Sequence, residues 1–255
     1  YIIIYIMVKK TLINPNSQDF DLTILPVKQD DYGINIRRPI HPMLPKADKG
    51  ALLITTASVR SGKTNLLTNI FGNSNFLRDA FDAVYIFSST IAQDQTGRRL
   101  KEMFPNTTYD TFDENKLQRI LDYQLQQDDD DREAIAIMLD DLPNYLKPKS
   151  LFFTLASNYR HFGIGLLSYS VQSFKMIPPI VRNNATNLLL GTLNPSQLEQ
   201  VSQEYSDHFG GKDNFKRMYR IAVPERFNFL YMRMDEHPAI LHRNFDEKIL
   251  YQDQE

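Results

Sequence analysis

Apolar residues in this chain fall into short, near-continuous runs separated by amphipathic stretches. That rhythm predicts strands buried on both faces, alternating with helices. An apolar strand begins at Ala51 and runs through a loop into a helical pattern over Thr64 to Asn73, and a second strand is expected over Asp82 to Ser89 (DAVYIFSS). Asp94 can cap a helix that runs to about Phe104 and carries Arg98, Arg99 and Lys101. Thr107 to Phe112 reads as a short strand, and Asp113 as the cap of a helix through Gln127. Asp128 to Asp131 reads as a solvated acidic loop, since nothing positions those side chains for a metal. Beyond it, Ala134 to Asp141 (AIAIMLDD) is a strand ending in two carboxylates, Leu151 to Tyr159 a helix, and Gly165 to Gln172 (GLLSYSVQ) a strand. Ala185 to Gly191 makes a further strand and Pro195 to Ser206 a helix, while Phe227 to Met234 and Ala239 to His242 read as a peripheral hairpin. The alternation predicts an α/β fold with a mainly parallel central sheet and helices on both faces.

Length and composition narrow the choice. A chain of 255 residues, 42 % hydrophobic, fits one large domain. We divide it into an N-terminal extension over 1–50, a core over 51–210, and a C-terminal hairpin and tail over 211–255. The opening YIIIYIMV is far shorter than the roughly 20 residues that span a bilayer, and no other membrane segment is expected. Met7, followed by Val8-Lys9-Lys10, is a plausible start, with residues 1–6 then lying outside the expressed protein. A formal net charge of −2 excludes a broadly basic nucleic-acid coat, so any DNA contact must come from a few loops. The absence of cysteine excludes disulfides and thiolate metal sites.

The loop between the first strand and its helix carries the chemistry. Ser61-Gly62-Lys63-Thr64 follows an apolar strand and opens a helix, the context of a phosphate-binding P-loop. In such a loop the backbone N–H groups of Ala57, Ser58, Val59, Arg60, Ser61, Gly62, Lys63 and Thr64 would wrap a triphosphate. Lys63 would neutralise the outer phosphates, Thr64 would hold Mg²⁺, and the helix dipole would face the anion. Ala57 stands where the motif has its first glycine, which costs about 1 kcal/mol if φ is positive and nothing if it is negative.

The second carboxylate site decides more than the loop. Asp140 at the end of an apolar strand suits a Mg²⁺ ligand, and Asp141 beside it suits a base that polarises the attacking water. Gln172, at the tip of the next strand, could reach a γ-phosphate or that water. Arg160 and Arg182 are both candidates for a charge-stabilising arginine finger.

In this order, the P-loop, Asp140-Asp141, Arg160, Gln172 and then Ile177-Pro178-Pro179-Ile180-Val181-Arg182-Asn183-Asn184 resemble the poxvirus-type genome-packaging ATPases of the FtsK/HerA superfamily. The resemblance covers about Leu44 to Leu190. It implies a RecA-like, ASCE-type P-loop NTPase whose P-loop strand and acid strand are separated by an intervening strand. It further implies ATP and Mg²⁺, a hexameric ring of identical subunits, and pumping of double-stranded DNA into a capsid through a capsid or portal-like vertex partner. The work would take place in the host cytoplasm, at a viral factory, or in the virion. On this reading Lys63, Asp141, Gln172 and Arg160 are catalytic, Thr64 and Asp140 hold the metal, and Arg182 is the second finger candidate. Lys147, Lys149 and Lys175 are candidate grips on the DNA backbone.

Rival readings differ at definite points. A small GTPase or kinase is disfavoured because the only Asn-Lys, Asn115-Lys116-Leu117-Gln118, is not the guanine-reading motif, and the Asp30 to Gly33 pattern precedes the P-loop. A capsid-assembly protein that binds nucleotide without turnover would be separated by measured hydrolysis. A cellular segregation or conjugation translocase would share the chemistry but usually adds membrane or DNA-reading segments.

Overall fold

Alternate residues of each central strand enter opposite cores. Leu52 and Ile54 join one buried cluster, while Ala51 and Leu53 join the other. A strand with apolar side chains on both faces must be covered on both, and the sheet of this protein is. The computed structural model describes residues 33–91, 93, 95–129, 131–142 and 150–250. Asp94, Asp130, Lys147, Lys149 and the stretch 1–32 with Met7 lie outside the described residues.

The elements run β1 (Ala51–Thr56), α1 (Lys63–Gly72), β2 (Ala83–Ser88), α2 (Gln95–Met103), β3 (Thr108–Tyr109), α3 (Glu114–Gln126), β4 (Ile135–Asp140) and α4 (Leu151–Asn158). They continue β5 (Ile164–Val171), α5 (Pro179–Asn183), β6 (Asn187–Leu190), α6 (Pro195–Tyr205), α7 (Lys212–Ala222), β7 (Leu230–Arg233), β8 (Ile240–Arg243) and β9 (Glu247–Ile249). One sheet holds all the strands in the order β3-β2-β4-β5-β1-β6-β7-β8-β9. From β3 to β6 every pairing is parallel, and β7, β8 and β9 add to the β6 side in antiparallel fashion. As expected, an intervening strand, β5, lies between the P-loop strand β1 and the acid strand β4.

Helix α1 packs its Leu67, Ile70 and Phe71 against one face with Leu100 of α2. Leu117 and Leu121 of α3, Phe152 and Leu155 of α4, Val201 of α6 and Phe215 of α7 cover the other. Asp113 caps α3 as expected, its carboxylate accepting from the backbone N–H groups of Asn115 and Lys116.

The expected strand over Thr107 to Phe112 shortens to two residues, because among the described residues β3 pairs only with β2 at the edge of the sheet. The C-terminal strands are not free-standing: β7 hydrogen-bonds to β6 and is buried throughout. Helix α7 is absent from the reading of the sequence, although Phe215, Met218, Tyr219 and Ala222 recur at helical spacing and all are buried. Among the described residues, no helix is long and apolar enough to cross a membrane.

Candidate active site

Parallel strands that end in register deliver the residues after them to one edge. Thr56 of β1 pairs with Val171 of β5, and Asp140 of β4 pairs with Ser170. Ala57, Asp141 and Gln172 therefore emerge side by side at the C-terminal edge, where ligands bind in open α/β sheets.

The P-loop is built by local backbone geometry. Gly62 takes a left-handed φ of 88° as the N-cap of α1, so Lys63 opens the helix. A side chain at Gly62 would also strike Phe227, whose Cδ1 lies 2.6 Å from an added Cβ. Ser61 donates its backbone N–H (3.3 Å) and its hydroxyl (2.5 Å) to the Ser58 carbonyl, and the Ser58 N–H reaches the Thr192 carbonyl (2.9 Å). Ala57 does not enter the left-handed region, so its replacement of glycine carries no backbone strain. Its methyl group is accommodated by Gly191, just after the neighbouring β6, where an added Cβ would come within 2.8 Å of it.

Lys63 reaches across to the acid strand. Its Nζ lies 3.3 Å from Oδ1 of Asp141, and the two side chains are only 9 % and 15 % exposed. Gln172 donates from Nε2 to the other Asp141 oxygen at 2.7 Å, and its own carbonyl accepts from Gln197 at 3.1 Å. Lys63, Asp141 and Gln172 thus form one connected cluster drawn from the first turn of α1 and from the residues just after β4 and β5. Asp141 holds a left-handed φ of 53°, fixed by its N–H to the Ser170 carbonyl (3.0 Å) and by Ser89 Oγ on its own carbonyl (3.1 Å).

Asp140 lies beneath this cluster. It is 3 % exposed and accepts a hydrogen bond from Ser88 Oγ at 3.1 Å, while Oδ1 has no partner. Burial holds its carboxyl above the ordinary range, against the opposing pull of the Lys63 charge. Ser88, Ser89, Ser170 and Gln197 were not picked out from the sequence. The hydroxyl residues closing the apolar runs of β2 and β5 were the available signal.

The arginines separate. β5 runs about 26 Å at roughly 3.3 Å per residue, and Arg160 precedes it while the P-loop follows the parallel β1. The fold does not bring Arg160 to its own chain's Lys63. It is exposed and, among the described residues, has no ion pair. Arg182 is engaged, pairing with Glu204 and lying 5.1 Å from the centre of the Phe174 ring. Lys175 and Arg182 line a shallow groove of about 460 Å³. Arg98 and Arg99 line a larger one of about 770 Å³ between α1 and α2, with Arg78. In the acidic loop, Asp129 pairs with Arg132 at 2.7 Å.

No family model matches the sequence, and no curated protein does. Solved structures do. The genome-packaging NTPase B204 of Sulfolobus turreted icosahedral virus 2, in complex with AMP, superposes with a TM-score of 0.55 at 16 % identity, over 79 % of this chain and 98 % of that one. The DNA-packaging ATPase B204 of Sulfolobus turreted icosahedral virus gives 0.55 at 15 % identity, over 76 % and 97 %. This chain has the B204 fold. A third B204 structure, with ATP-γS, gives 0.52 at 14 % identity, over 77 % and 98 %.

Proposed function

We propose that this chain is a viral genome-packaging ATPase that drives double-stranded DNA into a capsid by hydrolysing ATP. The observation that carries the reading is the convergence of P-loop Lys63 with Asp141 and Gln172 on the sheet edge of a fold shared with B204. B204 is described as a genome-packaging NTPase and a DNA-packaging ATPase, and it has been captured with ATP-γS and AMP.

In this reading the N–H groups from Ala57 to Thr64 receive the phosphates. Lys63 exchanges its Asp141 partner for the β and γ phosphates, which releases Asp141 to accept a proton from the attacking water. Gln172, already bonded to Asp141, senses the γ-phosphate and passes its presence along β5 and, through Gln197, to α6. A Mg²⁺ ion fits Thr64 and Asp140: one buried carboxylate with a bare oxygen plus one hydroxyl suits a hard cation that keeps several of its waters. When bound, it would neutralise phosphate charge.

Arg160 lies at the far end of the sheet, so its use as a finger requires a neighbouring subunit, which supports a ring, hexameric in the family resembled. Arg182 is the second candidate, but its Glu204 pair would first have to break. Lys175, with Lys147 and Lys149, would grip DNA phosphates without reading sequence. The capsid or portal-like vertex would be the ring's docking partner, in the host cytoplasm or the virion. The test is ATP turnover by purified protein with and without double-stranded DNA. Stimulation by DNA of any sequence supports the reading, and nucleotide binding without turnover would leave a capsid-assembly protein instead.

A further inference from the structure

Residues 223–228, between α7 and β7, lie against the phosphate loop, and no sequence motif marks them. Arg226 donates from Nε at 2.9 Å, and again from a terminal nitrogen, to the backbone carbonyl of Arg60. Its guanidinium also lies over the Phe227 ring, 5.1 Å from the centroid. That ring rests on Gly62, filling the side a Cβ would occupy. Both Arg60 (φ 60°) and Phe227 (φ 77°) hold the left-handed conformation, which L side chains keep only where their surroundings impose it. Phe227 is 62 % exposed, so core burial does not account for its place.

The consequence follows from peptide planarity. The peptide between Arg60 and Ser61 is pinned at both ends, its carbonyl by Arg226 and its N–H by the Ser58 carbonyl at 3.3 Å. A loop that must present several N–H groups to one anion gains affinity when its peptide planes are fixed beforehand. Resting on the reading of this loop as the nucleotide cradle, we infer that Arg226 and Phe227 form a clamp that holds the P-loop in its binding conformation before nucleotide arrives. Arg226 is a positioning residue, acting through the Arg60 carbonyl. The C-terminal part of the chain thereby sets the affinity of a loop 166 residues earlier.

The test compares wild type, Arg226→Ala, Arg226→Lys and Phe227→Gly by calorimetric titration with Mg²⁺ and a non-hydrolysable ATP analogue. Amide hydrogen exchange of residues 58–63 is followed without nucleotide. Arg226→Ala should weaken binding about tenfold, should raise KM rather than lower kcat when ATP turnover is assayed alongside, and should speed exchange in the loop. Arg226→Lys, which keeps a donor but loses the fork, should recover part of the affinity. Phe227→Gly keeps the backbone angle and removes only the ring, so it serves even if Arg226→Ala folds poorly, and it should weaken binding about threefold. Wild-type affinity and exchange in Arg226→Ala and Phe227→Gly would overturn the clamp. Tighter binding in either would also overturn it, by showing the segment to be a plug. A wild-type protein that does not bind the analogue would overturn the cradle reading itself, and the clamp with it.

Discussion

Asp140 is 3 % exposed, its carboxylate accepts one hydrogen bond, from Ser88, and Oδ1 has no partner. A buried polar group left bare costs about 1–3 kcal/mol when neutral and more when charged, and the attraction of Lys63 offsets part of the excess that the charge adds. Asp140→Asn keeps an oxygen for Ser88 and removes the charge, so it should stabilise the protein at neutral pH by about 1–2 kcal/mol. For a chain of this size that is about 2–8 °C in Tm. Because burial raises the folded pKa above the unfolded one, the native state is penalised only where the carboxyl is ionised. The gain from Asp140→Asn should therefore vanish below the unfolded value, near 3.9. It should grow as pH rises and be complete above the folded value. Urea unfolding of both proteins across that range measures it, and in the same variant Mg²⁺ should no longer strengthen binding of an ATP analogue. A variant less stable than wild type at pH 7 would refute the reasoning, since the Lys63 attraction would then outweigh burial.

Lys63→Ala should abolish hydrolysis and weaken nucleotide binding if, as proposed, the lysine is the loop's charge partner for the outer phosphates; an equilibrium titration and a turnover assay check both. Gln172→Ala should retain ATP binding but lose most of the stimulation by DNA, read as the ratio of turnover with and without DNA. Neutralising Lys147, Lys149 and Lys175 together should flatten the salt dependence of DNA binding by a slope of about 2.7, at roughly 0.9 per phosphate contact. An unchanged slope would move the grip to Arg98 and Arg99 in the groove beside α1. Arg160→Ala and Lys63→Ala should each be inactive alone, yet an equal mixture should recover hydrolysis at about a quarter of its interfaces if rings mix at random. Mixed rings without activity would pass the finger to Arg182.

The order of strands and helices was legible because fully buried parallel strands leave runs such as AIAIMLDD and GLLSYSVQ. The P-loop was legible because its chemistry needs adjacent glycine, lysine and hydroxyl. The convergence of Lys63 with Asp141 was implied by the resemblance, but its geometry rests on the pairing of β4 with β5 and β5 with β1, which no local pattern carries. Gly191 making room for Ala57 is a contact between residues 134 positions apart in number, invisible to any motif. The same holds for Arg226 and Arg60, which meet only because β7 returns to the sheet beside β6. Helix α7 had a readable pattern in Phe215, Met218, Tyr219 and Ala222, diluted by five charged residues in an eleven-residue helix.

The central claim is that Asp141 activates water while Lys63 and the loop hold the nucleotide. It is tested most directly by measuring ATP-analogue affinity and ATP turnover side by side on wild type and Asp141→Asn, with Mg²⁺ and double-stranded DNA present. The account predicts affinity equal to or tighter than wild type, since Lys63 loses its competing partner 3.3 Å away, together with loss of turnover. Hydrolysis by Asp141→Asn at the wild-type rate would contradict it.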